Sequence, residues 1–255
     1  MNSAKTGTLV LVPNGLDLGT EAVDLRQVVP LGVLERAAAL RHWAVEDARS
    51  ARAFLKRVAE ITPLCMPLQG LGMAELPRPR KGSREPVPAT EWQALLGPVL
   101  GGEDMGLLSE AGLPAVADPG ASLVAAAHAA GVPVLPLAGA SSLMLALAAS
   151  GLNGQSFAFV GYLPQEAAPR AARLKDLEAL SRRLGQTQIM IETPYRNAAF
   201  LAAMLATLNP STQVSVSCGI TLPGALCRTD AVSAWRARPL ALPDRWPAVF
   251  SLLAA

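Results

Sequence analysis

Aromatic residues are scarce in this chain: five Phe, four Trp and two Tyr make up 4 % of 255 residues. Ala, Leu and Val must therefore fill the core, within an apolar total of 51 %. Histidine occurs twice and cysteine three times, at Cys65, Cys218 and Cys227, with no C-x-x-C pair. That scatter gives no zinc site by spacing and reads as reduced, small apolar residues, and no Ser-His-Asp order or metal cluster stands out. Charge of one sign is also missing: 22 basic against 20 acidic residues leave a net +2. A surface governed throughout by phosphate contacts is not expected, although a local basic patch is compatible with that balance. Long apolar runs are absent too. Ser122 to Ala130 and Leu143 to Ala149 are too short to cross a bilayer and read as buried helix. Met1 to Lys5 shows no signal-peptide pattern, so a soluble cytoplasmic protein with no membrane partner is expected.

What the chain does have is one dense Gly/Pro loop, Ser109-Glu110-Ala111-Gly112-Leu113-Pro114-Ala115-Val116-Ala117-Asp118-Pro119-Gly120. An apolar strand, Met105 to Leu108, runs into it, and a helix, Ala121 to Ala130, follows. In an α/β sheet such a loop lies at the carboxyl end of a strand, where ligands bind. Gly112 and Gly120 supply positive φ and close approach, prolines stiffen the loop, and Asp118 offers one acid to an amine or hydroxyl.

The rest of the chain alternates in the same way. Thr8 to Val12 reads as a buried first strand ended by Pro13, and Val28 to Pro30 as a strand edge. Helices are expected over Val33 to Leu40 and Ser50 to Ala59, with a strand at Trp43 to Val45 between them. Leu76 to Pro88 is Pro-rich and basic, carrying Arg78, Arg80, Lys81 and Arg84, and reads as an exposed loop. Thr90 is a candidate cap for a helix from Glu91 to Leu100. Val132 to Leu137 reads as a buried strand feeding Ser141 and Ser142 at the start of a helix to Ser150. Beyond a linker at Gly151 to Gly154, strands are expected at Phe157 to Tyr162, Thr187 to Ile191 and Val214 to Ile220. Helices are expected over Leu174 to Leu184 and Asn197 to Leu208, and a short strand or docking segment over Ala248 to Leu253. The fold class is α/β, with one domain over residues 1–152 and a second over 155–255.

The loop from Ser109 to Gly120 resembles the S-D-A-G-x-P-x-x-x-D-P-G signature of the tetrapyrrole methylase superfamily, with Glu110 in place of the first Asp. Further segments are similar, in the same order, to its 16S rRNA cytidine ribose-2′-O-methyltransferase branch. Gly7 to Pro13 matches the first strand, and Val45-Glu46-Asp47-Ala48-Arg49 resembles A-E-D-T-R. Leu137 to Ser142 resembles L-P-G-x-S/C-A. Gly161 to Pro164 is similar to G-F-L-P, and Glu192 to Arg196 to E-S-x-H-R. Cys218 to Pro223 keeps only Thr221 of that branch's R-E-L-T-K segment, and the branch's C-terminal helical module has no counterpart.

The resemblance implies two α/β domains with a cleft between them for S-adenosylmethionine, without the G-x-G-x-x-G fold. It implies cofactor contacts from Pro13, Ala111, Gly112, Leu113, Pro114, Val116, Asp118, Ser141, Ser142, Tyr162 and Leu163, and no metal. Glu46, Asp47 and Arg49 are the candidates for catalysis and substrate handling, with a helix cap and ion pair as the plainer reading. Methyl transfer needs alignment more than acid–base groups, which fits the absence of a triad. The implied activity is an S-adenosylmethionine-dependent methyltransferase acting on rRNA or a ribosomal subunit and pairing as a homodimer. The alternatives are methylation of a tetrapyrrole-like small molecule and a non-catalytic binding protein.

Overall fold

The computed structural model describes residues 6–16, 23–79 and 85–254. Two compact units, Met1–Ala140 and Ser141–Ala255, divide the chain. The helix Ser142–Ser150 and the expected linker at Gly151 to Gly154 therefore both lie in the second unit.

The first unit is built on five strands: β1 (Leu9–Val12), β2 (His42–Val45), β3 (Gly72–Glu75), β4 (Met105–Leu108) and β5 (Val134–Pro136). Their order is β3-β2-β4-β1-β5 and every pairing is parallel. A parallel sheet needs cover on both faces, so its inner strands read as continuous apolar runs. β4 is buried at all four positions. On one face, helices α1 (Leu31–Ala38) and α2 (Ala48–Ala59) pack Leu34, Ala37, Phe54, Leu55 and Val58 onto Val10, Val12 and Trp43. The other core joins Leu9, Ala44 and Leu107 to Leu96, Val99, Leu123 and Ala127, from α3 (Ala89–Leu95), α4 (Gly97–Leu100) and α5 (Ala121–Ala129) and the junction between α3 and α4.

Several expectations change here. Val28 to Pro30 is not a strand: Asp24 accepts a hydrogen bond from the Arg26 backbone N–H, closing a 3-10 turn over Leu25–Gln27, and Pro30 then caps α1. Thr90 is not a cap, because Pro88 holds that position and Thr90 lies inside α3. The expected helix to Leu100 breaks at Leu96, ahead of Pro98 in the first turn of α4. β5 is an edge strand with Leu135 and Pro136 exposed rather than a buried one.

In the second unit, β6 (Phe157–Gly161), β7 (Thr187–Glu192), β8 (Gln213–Cys218), β9 (Leu226–Ala231) and β10 (Ala248–Leu253) form a sheet of order β6-β7-β10-β8-β9. Only β6 and β7 run parallel. α6 (Ser142–Ser150) places Leu143, Ala146 and Leu147 against Ile189 and Val249. On the opposite face, α7 (Ala167–Leu184), α8 (Asn197–Thr207) and α9 (Val232–Ala237) contribute Leu174, Leu177, Phe200, Met204 and Trp235 to a core with Met190, Val216 and Phe250. The segment expected as a short strand or docking piece is β10, the central strand. β8 stops at Cys218 because Gly219 turns at φ +65°, with Trp246 packed where a Cβ would stand.

Among the described residues, no helix is long and apolar enough to cross a membrane, and no cluster of His, Cys, Asp and Glu is placed to hold a metal ion.

Candidate functional site

The strand order of the first unit brings three carboxyl-end loops together. β4 lies between β1 and β2, with Leu108 in register with both Val12 and Val45. The residues that follow, Pro13-Asn14, Glu46-Asp47 and Ser109-Glu110, therefore emerge side by side. Asn14 fastens the first to the third. Its backbone exchanges two 2.9 Å hydrogen bonds with Gly112, and its amide donates to the carbonyls of Glu110 (2.9 Å) and Ser109 (3.3 Å). The Glu110 N–H donates to Glu46 Oε2 at 3.1 Å, joining the second loop to the third. Arg78, just beyond β3, donates to the Glu46 carbonyl at 3.0 Å.

The signature loop turns through positive φ at Gly112 (+73°), Ala115 (+66°), Ala117 (+63°) and Gly120 (+126°). Two alanines in the left-handed region store strain on the order of 1 kcal/mol each. Open space surrounds the position where a Gly112 Cβ would stand, whereas at Gly120 a Cβ would press on Leu107 at 2.9 Å. The two glycines thus serve differently: Gly120 allows the loop to pack onto β4, and Gly112, at φ +73°, lets the loop turn where its backbone pairs with Asn14.

A cavity of about 730 Å³ opens beside these loops. Its chemistry comes from Glu46, Asp47, Arg49, Arg57, Glu110 and Asp118. Burial, reinforced by the charges of Glu46 and Glu110, pushes Asp118 up to about 7. Burial also raises Glu110, with Glu46 and Asp47 adding to the effect and Arg78 opposing it. Asp47 goes the other way. Its carboxylate caps α2, accepting from the Ser50 N–H at 2.8 Å, and this bond holds its pKa low.

The residues singled out from the sequence fall into distinct settings. Glu46, Asp47 and Arg49 share the cavity with Ala111 and Asp118. Of these three, Asp47 is engaged as a helix cap, Glu46 is partly buried and accepts the Glu110 N–H, and Arg49 is exposed. Pro13 and Pro114 are buried supports, Leu113 is partly buried, and Val116 is exposed. In the second unit, Ser141 precedes α6 without using its hydroxyl as a cap, and Ser142 is exposed. Tyr162 is 58 % exposed, whereas Leu163, 5 % exposed, belongs to the core of that unit, so its side chain is packing. Arg80, Lys81 and Arg84 of the basic loop lie outside the described residues.

Three site residues were missed. Asn14 follows β1 in a segment, Asn14-Gly15-Leu16, that keeps only part of the Gly- and Asn-containing loop of the family it resembles. Glu110 was visible as the departure from the signature. Ser109, first in the signature, is buried with its hydroxyl unpartnered.

With a sheet of parallel strands carrying this looped carboxyl edge and a second mixed α/β unit after it, the chain shares its fold with a solved methyltransferase. It is similar over 99 % of its length to the crystal structure of the methyltransferase CobJ, covering 95 % of that chain at a TM-score of 0.57 and 16 % identity. In sequence it is 31 % identical over 206 residues to "Ribosomal RNA small subunit methyltransferase I" of Mesorhizobium japonicum, 81 % of this chain and 63 % of that protein. The protein of the same name from Micromonospora olivasterospora is 46 % identical over 114 residues, 45 % of this chain and 35 % of its own. The chain thus spans between about a third and two thirds of the length of these curated relatives. No family model matches it.

Proposed function

We propose that this protein is an S-adenosylmethionine-dependent methyltransferase whose acceptor is rRNA, a ribose 2′-hydroxyl in a ribosomal small subunit. The observation that carries the reading is the 31 % identity over 206 residues to a relative named for rRNA methylation. The local structure fits the cofactor. Gly112 places no side chain in the open space beside the signature loop, and Ser141 has a hydroxyl not spent on capping. The acids Glu46, Glu110 and Asp118 suit a ligand that carries positive charge. In the first unit, Ala111 to Val116 and Asp118 would hold the cofactor, with Pro13 supporting them. When bound, it supplies an electrophilic methyl group. The protein's part is to fix the acceptor oxygen in line and keep water away, with Glu46 and Arg49 handling the acceptor.

A small-molecule acceptor is the second reading. It is favoured by the cavity and by the Gly219 to Leu222 turn, which packs on Trp246 where the rRNA branch carries its basic segment. Calorimetry should show binding of S-adenosylmethionine, and labelled methyl should move from it to small subunits. Label recovered instead in a small-molecule fraction would move the acceptor to the second reading. No binding at millimolar cofactor would overturn the activity altogether.

We also propose a cytoplasmic homodimer, supported by the family resemblance. Edge strand β6 exposes Phe157 and Phe159, apolar surface of the kind a partner covers. Sedimentation at micromolar concentration is expected to give about twice 26.5 kDa. A monomer alone would contradict it.

A further inference from the structure

The cavity of the first unit contains more acid than its neighbourhood neutralises. Glu46 and Asp47 reach it from the end of β2, and Glu110 and Asp118 from the signature loop. The cations facing them are Arg49 and Arg57 on α2 and Arg78 beyond β3. Arg57 donates to the Val23 carbonyl at 2.5 Å, Arg78 to the Glu46 carbonyl, and Asp47 is committed to capping α2. Glu46, Glu110 and Asp118 are left to share one space, in which half-buried Asp118 lies near two other carboxylates that oppose its charge.

We propose that Glu46, Glu110 and Asp118 make this cavity the receptor for the cationic centre of the bound ligand, and that binding of that cation displaces a proton from Asp118. The inference rests on the cofactor reading above and adds which residues sense the ligand's charge. The positive charge can come from a sulfonium or from an ammonium group, which share the chemistry recognised here. In the free protein Asp118 is only partly ionised at neutral pH, because burial and two neighbouring carboxylates oppose its charge. A cation placed beside it reverses that balance. The ligand then binds the ionised form more tightly, and its affinity climbs as pH rises from 6 to 8. With one proton linked, the limit is a ten-fold gain per pH unit below the midpoint, flattening above it.

Calorimetry of the full chain at pH 6, 7 and 8 tests this with three probes. S-adenosylmethionine carries both charges, S-adenosylhomocysteine keeps only the ammonium, and methylthioadenosine has neither. The expected result is a roughly five- to ten-fold rise in affinity across the range for a charged probe relative to methylthioadenosine. Asp118→Asn should remove it. The ligand amine itself titrates near 8 in wild type and variant alike, so the difference between the two proteins is the quantity read. A rise shared by both charged probes assigns the ammonium, and a rise confined to S-adenosylmethionine assigns the sulfonium. Glu46→Gln, whose amide oxygen can still accept the Glu110 N–H, should lower the midpoint; this second variant keeps the test open if Asp118→Asn folds poorly. Equal pH responses for all three probes, or a rise that persists in Asp118→Asn, would overturn the inference while leaving the cofactor reading intact. Failure of every probe to bind would instead remove the cofactor reading, and this inference with it.

Discussion

Gly139→Ala is expected to reduce S-adenosylmethionine affinity at least ten-fold, about 1.4 kcal/mol, while the protein still folds. A Cβ at Gly139 would lie 2.3 Å from Pro13 Cβ and 2.4 Å from Pro13 Cγ. Those distances are far inside van der Waals contact, and the proline ring has no rotamer by which to withdraw. The loops after β1 and β5 must then part. Pro13 precedes Asn14, whose backbone and side chain tie the first loop to Gly112, Ser109 and Glu110. A displacement at Gly139 is thereby transmitted to the signature loop, although position 139 is 27 residues away in sequence from Gly112. Overpacking of this kind costs on the order of 1–3 kcal/mol, a loss the variant's thermal midpoint will report. Circular dichroism at low temperature separates a folded, non-binding protein from an unfolded one. Affinity within two-fold of wild type would show that the spacing of these loops does not set the cofactor site.

Legibility in the sequence followed physical locality. β1 and β4 are short apolar runs ended by proline or a Gly/Pro loop, and a strand buried on both faces needs no other signal. α2 was legible from its apolar spacing and α6 from its apolar run, although the cap of α2 is Asp47, part of the segment weighed as substrate-handling. β9 was not legible, because Leu-Cys-Arg-Thr-Asp-Ala at a sheet edge carries no apolar run. Nor was β3, whose Gly-Met-Ala-Glu has little strand propensity and forms by pairing outside β2. The site shows the same division. The loop from Ser109 to Gly120 announced itself by glycine and proline. That Glu46 meets Glu110 depends on β2 lying beside β4, a consequence of crossovers that no local pattern encodes. The perturbation of Asp118 is a consequence of the same adjacency.

That perturbation should also be measurable as stability. Asp118 has an ordinary carboxylate value of 3.8 in the unfolded chain and about 7 in the folded one. Between those values the folded state holds a proton that the unfolded state has released, so rising pH favours unfolding across the interval and has no further effect above it. The full displacement corresponds to about 4 kcal/mol. Solvent reaches this half-buried side chain, and screening brings the expected contribution to on the order of 1–2 kcal/mol. An asparagine side chain at this position cannot ionise and escapes the penalty. Asp118→Asn should therefore match the wild type in denaturant near pH 4 and exceed it by about that amount at pH 8. The variant is then more stable under the conditions in which it is expected to lose its response to a cationic ligand. Such a gain is the signature of a residue held against its own folding preference for the sake of a ligand. A stability difference that stays constant between pH 4 and pH 8 would show that Asp118 ionises freely in the folded protein. The carboxylates of the cavity would then be ordinary solvated acids.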